Sequence, residues 1–280
     1  MSLPELVGVY GGGRMGAGIA HAFLATGTRV VVIETSSETA DAARGRVMNS
    51  LAQAASRGEL GESPASALER FRATTDAEAL YDAGLVIEAV PEEVSLKADV
   101  LRIVSGIAPE AILATNTSSL SIDGLAGGLD NPSRFLGLHF FNPVPASDLV
   151  EIVVGSRTDS EIVAQAQQWV SDLGKTAVTV TDSPGFASSR LGVAIALEAM
   201  RMLEEGVASA EDIDLAMTLG YRHPVGPLRT TDIVGLDVRL AIAEHLEKEL
   251  GSRFRPPAVL RKKVDAGELG RKSGQGFYSW

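Results

Sequence analysis

The 280-residue sequence predicts an α/β domain with a mostly parallel sheet, followed by an all-helical C-terminal domain. Three observations predict it. A β-branched run, Leu6–Tyr10, leads into Gly11-Gly12-Gly13-Arg14-Met15-Gly16, then a helical pattern closed by Gly27, then a second β-branched run at Arg29–Ile33. That order is a crossover unit, and crossovers build parallel sheets covered on both faces. Short apolar runs then alternate with helical patterns as far as Asp182-Ser183-Pro184-Gly185, a turn signal, beyond which no strong strand pattern recurs. The expected domains are 1–184 and 185–280.

Taken in order, the strands are expected at 6–10, 29–33, 85–90, 112–115, 134–141, 149–154 and 175–181, where β-branched and aromatic residues cluster between turn residues. Residues 37–73 are polar and Ala-rich, and read as a helical arm over the site. After residue 185, helices are expected near 186–206, 209–219, 230–250 and 256–266.

Composition excludes several function classes. A net charge of −11, from 36 acidic and 25 basic residues, gives no clustered Lys/Arg surface for nucleic acid. No uncharged apolar run reaches the ~18 residues of a membrane span. The N-terminus passes from Met-Ser-Leu-Pro-Glu into a strand without the basic and apolar regions of a signal peptide, so a soluble cytoplasmic protein is expected. With no cysteine there is no disulfide framework, thiol nucleophile or cysteine-held metal, and no metal site is expected.

The glycine turn follows a strand and opens a helix, the context that gives a Gly-x-Gly-x-x-Gly pattern its meaning. Gly11 allows the tight turn, Gly13 the close approach of a pyrophosphate, and Gly16 close helix–strand packing, which makes the first domain Rossmann-like. The phosphates would sit on the helix N-terminus. Glu34 ends the second strand 18 residues after Gly16, where a carboxylate accepts ribose hydroxyls and repels a 2′-phosphate. NAD is the expected cofactor.

Of four histidines, only His139 lies inside an apolar strand pattern, and Glu151 stands 12 residues later, flanked by aliphatics. A carboxylate so placed is costly unless partnered. If the chain reverses about Pro145, positions 139 and 151 face each other across two strands. The pair then serves either as a general base with its orienting carboxylate or as a buried structural pair.

At this point the sequence resembles the short-chain L-3-hydroxyacyl-CoA dehydrogenases, including bacterial 3-hydroxybutyryl-CoA dehydrogenases. The resemblance rests on Gly-Gly-Gly-Arg-Met-Gly-Ala-Gly-Ile-Ala at 11–20, Val-Ile-Glu-Ala-Val-Pro-Glu at 86–92, Asn-Thr-Ser-Ser-Leu at 116–120 and His-Phe-Phe-Asn-Pro at 139–143. It continues through Asp-Ser-Pro-Gly-Phe at 182–186, Gly-Pro-Leu at 226–228 with Gly-Leu-Asp at 235–237, and Gly-Arg-Lys-Ser-Gly-Gln-Gly-Phe-Tyr at 270–278. The resemblance implies that His139 takes the proton of a substrate 3-hydroxyl while hydride passes to NAD, that Glu151 orients it, and that Ser118 bonds the substrate oxygen. It places Glu92, Lys97 and Asn142 beside the cofactor, and Ser50 and Arg57 of the arm on coenzyme A. An acyl-CoA substrate and a homodimer joined through the helical domain are implied as well.

Two departures stand out. Ser189 occupies a position where the family usually has an active-site Asn; a serine still offers a hydrogen bond, with shorter reach. Arg229 stands where relatives commonly carry an acidic residue, and fits either a carboxylated acyl tail or a plain surface position. The expected function is NAD-dependent oxidation of (S)-3-hydroxyacyl-CoA, or the reverse reduction. The alternatives are a dehydrogenase of a non-CoA or carboxylated hydroxy acid, and a catalytically impaired NAD-binding structural protein.

Overall fold

The computed structural model describes residues 2–280, and the chain divides into two compact units, one ending at Asp182 and one spanning Ser183–Trp280. The first unit is built on an eight-stranded sheet in the order β3-β2-β1-β4-β5-β6-β7-β8. Its strands are β1 (Leu6–Tyr10), β2 (Arg29–Ile33), β3 (Phe71–Thr74), β4 (Leu85–Glu88), β5 (Ile112–Thr115), β6 (Phe135–Phe140), β7 (Leu149–Val154) and β8 (Thr176–Thr181). All neighbours run parallel except β6 and β7, which are antiparallel. The central strands are buried on both faces, as Val7, Val9, Val30, Val32, Leu85 and Ile87 show, so they read as unbroken apolar runs rather than alternating ones.

Helices α1 (Arg14–Leu24), α2 (Ser37–Ser56), α3 (Pro64–Glu69), α4 (Val94–Ile107), α5 (Ile122–Ala126) and α6 (Ser160–Asp172) complete this unit. The 37–73 stretch is not helical throughout. Ser36 and Thr39 form a reciprocal capping box that starts α2, and Ser63 with Pro64 starts α3. The segment then ends in β3, which pairs along β2 with Phe71 opposite Val30. A four-residue edge strand carrying Arg72 leaves no periodicity to read. Nor is α2 free-standing: it buries Ala40, Ala43, Val47, Leu51 and Ala54, a stripe at helical spacing that joins the core beside α1.

The second unit holds α7 (Ser188–Glu204), α8 (Ala210–Gly220), α9 (Pro227–Val234), α10 (Leu236–Leu250) and α11 (Ala258–Asp265) around Met200, Leu228, Leu236, Ala243, Leu246 and Leu260. The single helix expected over 230–250 is two, because Gly235 takes φ +108° and ends α9. A side chain there would be strained. Two buried carboxylates tie this unit together. Asp214 accepts the N–H groups of Leu228 and Arg229 at the start of α9 and the Tyr278 hydroxyl. Asp232 accepts the N–H groups of Phe277 and Tyr278 and the Trp280 indole, each at 2.9 Å.

Candidate active site

Strand β1 delivers the chain to Gly11, whose φ of +97° turns it sharply while its N–H donates to Ile33 O at 2.9 Å. A Cβ on Gly16 would lie 1.8 Å from Gly11 O, so the start of α1 packs on the turn at glycine distance. Gly13, the N-cap of α1, has nothing within 4 Å of where its Cβ would be, and no side chain caps that helix end. Its N–H groups are therefore available to an anion. Glu34, one residue past β2, accepts the Gly12 N–H at 2.6 Å, and the rest of its carboxylate remains for ribose hydroxyls. A Cβ-free cradle at the phosphates and a carboxylate at the ribose end fit NAD.

Beneath the next strand ends lies a buried ionic cluster. Glu88, last residue of β4 and 1% exposed, accepts the Lys97 ammonium at 2.7 Å, the Val90 N–H at 2.7 Å and the hydroxyl of Thr115, its register partner on β5, at 2.6 Å. Lys97, equally buried in α4, also reaches Val90 O at 3.1 Å and Glu92 Oε2 at 3.2 Å. Those three acceptors use all three ammonium donors inside the protein, as a buried charge requires. Lys97 thus acts by holding Glu92.

Glu92 in turn organises the 117–119 loop. Its Oε1 accepts the Thr117 hydroxyl at 2.6 Å and the N–H groups of Ser118 and Ser119 at 2.8 and 3.1 Å, with the Ser118 hydroxyl at 3.2 Å. Burial pushes the Glu92 carboxyl up, but the Thr117 hydroxyl, the Lys97 charge and the Ser118 amide outweigh it. The net displacement is below the usual carboxylate range.

Across the sheet, β6 and β7 pair with His139 directly opposite Glu151, and His139 Nδ1 lies 2.8 Å from Glu151 Oε2. Both are buried, Glu151 almost completely. The next residue on β6 is anchored too, since the Phe140 N–H donates to Asn116 Oδ1 at 2.9 Å. His139, Ser118, Asn116, Asn142, Glu92 and Lys97 all line one cavity of about 320 Å³.

Within the first unit, Ser50 and Arg57 do not line that cavity. Ser50 on α2 lines a separate cleft, and its hydroxyl meets Nδ1 of the buried His21 on α1 at 2.7 Å. Burial, with Lys175 and Arg57 nearby, lowers the His21 pKa. Arg57, the C-cap residue of α2, is half exposed and paired with Glu59 at 2.8 Å. Ser189 stands in the first turn of α7 in the second unit. Arg229 lays its guanidinium over the Tyr278 ring at 4.1 Å and near Trp280 at 5.4 Å, packing that accounts for the cation there.

Glu88, Thr115 and Thr117 were not singled out from the sequence, whereas His21 was read as a structural or solvated histidine of the first helix. Glu88 carried the signal that singled out Glu151, a carboxylate at the end of an aliphatic run. Among the described residues no group of three or more His, Cys, Asp or Glu is placed to hold a metal ion, and no helix is long and apolar enough to cross a membrane.

Residues 6–183 match the family model described as the 3-hydroxyacyl-CoA dehydrogenase NAD binding domain, and residues 185–280 match the C-terminal domain of the same family. A probable 3-hydroxybutyryl-CoA dehydrogenase of Deinococcus radiodurans is 42% identical over 275 residues, covering 98% of this chain and 99% of the relative. The 3-hydroxyadipyl-CoA dehydrogenase of Escherichia coli is 39% identical over 280 residues, covering 99% of this chain and 59% of the relative. The crystal structure of (S)-3-hydroxybutyryl-CoA dehydrogenase from Ralstonia eutropha superposes with a TM-score of 0.95 at 40% identity, covering 99% of both chains. The chain belongs to the 3-hydroxyacyl-CoA dehydrogenase family and is an NAD-dependent enzyme.

Proposed function

We propose that this enzyme interconverts (S)-3-hydroxyacyl-CoA and 3-oxoacyl-CoA, with His139 moving the hydroxyl proton. The observation that carries the reading is the meeting of His139, Ser118 and Asn142 in one cavity, with a buried carboxylate behind the imidazole. When bound, the nicotinamide supplies the hydride acceptor. The chain's own residues do the rest. Glu151 on Nδ1 favours the tautomer with its proton there, which leaves Nε2 as the lone pair that accepts the 3-hydroxyl proton. The imidazolium so formed sits 2.8 Å from a carboxylate shielded from water, which stabilises it. Ser118, fixed through its amide by Glu92, supports the substrate oxygen. In the reductive direction His139 returns the proton.

NADH consumption with 3-oxoacyl-CoA esters of different lengths and tails tests the reading. Turnover of acetoacetyl-CoA that His139→Gln abolishes supports it. No turnover with any coenzyme A ester, alongside activity on a free hydroxy acid, overturns it.

The same reading places a second copy of the chain on the helical unit and the enzyme in the cytoplasm. An apolar groove lined by Ile195, Met202, Ile213, Met217 and Tyr221 supports the dimer, as does Leu219, which is 76% exposed in the same helix, α8, as Met217. Light scattering that finds only monomer at micromolar concentration overturns the dimer; cell fractionation checks the compartment.

A further inference from the structure

The buried cluster under the strand ends carries a charge that its own hydrogen bonds do not cancel. Glu88 accepts the Lys97 ammonium, the Val90 N–H and the Thr115 hydroxyl, the pattern of an ionised carboxylate. Glu92 accepts Lys97 as well, together with the amides of Ser118 and Ser119. Two carboxylates thus share one ammonium, and among the described residues no second cation lies within 4 Å of either. The cluster keeps one negative charge in excess.

Burial gives that excess its reach. Glu88 and Lys97 are each 1% exposed, so water and salt screen little of their field. Such a pair is a weak source of stability, since apolar side chains of similar volume serve the core as well. What apolar side chains would not supply is the charge. Glu92 and Lys97 line the cavity that His139 and Ser118 share, and no other carboxylate or ammonium is among its lining residues. Glu88 does not line it, and stands one hydrogen bond behind, on Lys97 at 2.7 Å. Oxidation of a hydroxyl in this cavity moves a positive charge: hydride transfer removes it from the nicotinamide, and the hydroxyl proton places it on His139. Glu151 stabilises that charge on the imidazole. The Glu88–Lys97–Glu92 cluster is the group suited to stabilise it on the ring.

We propose that Glu88 sets the preference of the site between the two oxidation states of its cofactor: its carboxylate gives the buried cluster the excess negative charge that favours the cationic, oxidised nicotinamide over the neutral, reduced one. Glu88 acts through Lys97 and Glu92, as a positioning residue whose contribution is charge. The inference goes beyond the acyl-CoA reading and needs no thioester, only that the nicotinamide enters the cavity of His139.

The test measures two dissociation constants on the whole chain without substrate, that of NADH from its fluorescence and that of NAD+ by displacement of NADH. Glu88→Gln keeps the shape of the cluster, because its oxygen still accepts Lys97 and the Val90 N–H while its amide donates to the Thr115 oxygen. NAD+ affinity falls about three- to tenfold relative to NADH affinity in this variant. Thr115→Val removes a hydrogen bond from Glu88 but no charge, and leaves the ratio of the two constants within about twofold of wild type. Glu88→Gln combined with Lys97→Met removes one charge of each sign and leaves Glu92 as the excess. The ratio then returns to within about twofold of wild type, although more buried contacts are gone than in the single variant. An equal loss of affinity for both forms in Glu88→Gln, complete loss included, makes Glu88 a structural residue and overturns the proposal. So does a double variant whose ratio lies no nearer wild type than that of Glu88→Gln. Unchanged constants in Glu88→Gln overturn it as well, since the charge then has no effect at the ring. Failure of the wild-type enzyme to turn over any coenzyme A ester is a separate result, which refutes the acyl-CoA reading and leaves these constants as they are.

Discussion

His139 and Glu151 stand opposite each other on the one antiparallel strand pair of an otherwise parallel sheet, joined at 2.8 Å through Nδ1. The carboxylate sets the tautomer, so the two residues fail differently when replaced. His139→Gln is expected to lower kcat by roughly 10²–10⁴-fold with NADH affinity unchanged, because the proton carrier is lost and the dinucleotide site is not. Glu151→Gln keeps the base but lets its amide donate to Nδ1, which moves the ring proton to Nε2 and lowers kcat by about 10–10³-fold. Near-normal turnover in either folded variant reduces the pair to a structural one; steady-state kinetics with circular dichroism decide it.

Gly13 and Gly16 separate binding from folding. Ala at Gly13 meets empty space and an ordinary φ of −62°, so the melting temperature holds while NADH affinity falls, the new methyl standing where a pyrophosphate approaches. Ala at Gly16 meets Gly11 O and costs about 1–3 kcal/mol or more of stability. Calorimetry and NADH titration should give opposite rankings for the two variants.

Glu34→Ala removes both a ribose acceptor and the tie to Gly12. NADH affinity should fall about tenfold and the preference over NADPH should narrow. A wild-type enzyme that already uses both cofactors equally contradicts the role given to this carboxylate.

Glu92 predicts a pH dependence of stability. Its carboxyl is held below the ordinary range in the folded chain, so it binds protons more weakly there than in the unfolded chain. Its contribution is fully present above the unfolded value of about 4.3 and is lost as pH falls through the lower folded value. Glu92→Gln should flatten that acid loss while lowering stability at neutral pH, both measurable by urea unfolding. Equal slopes in the two proteins would rule out this carboxylate as a source of the acid sensitivity.

The parts legible in the sequence are those written in adjacent residues. The glycine turn is a local pattern with a local geometry, and the facing of His139 and Glu151 follows from one short reversal of the chain. What escaped notice depends on distant partners. Strand β3 exists because β2, some 40 residues earlier, offers it an edge, and nothing within Phe71-Arg72-Ala73-Thr74 announces that. Lys97 looks like a surface residue of an amphipathic helix until Glu88, Glu92 and Val90 O converge on its ammonium. The break at Gly235 was hidden because helical periodicity continues on both sides of it.

Asp232 gives residues 277–280 an importance out of proportion to their number. Its carboxylate is 1% exposed, and its hydrogen-bond donors all come from residues 277–280. Loss of those residues by proteolysis or a premature stop would strand a buried anion, at a cost of about 1–3 kcal/mol or more for each missing donor. The helical unit can close properly only once residues 277–280 are in place, so its packing waits on a segment some 45 residues downstream of the carboxylate that holds it.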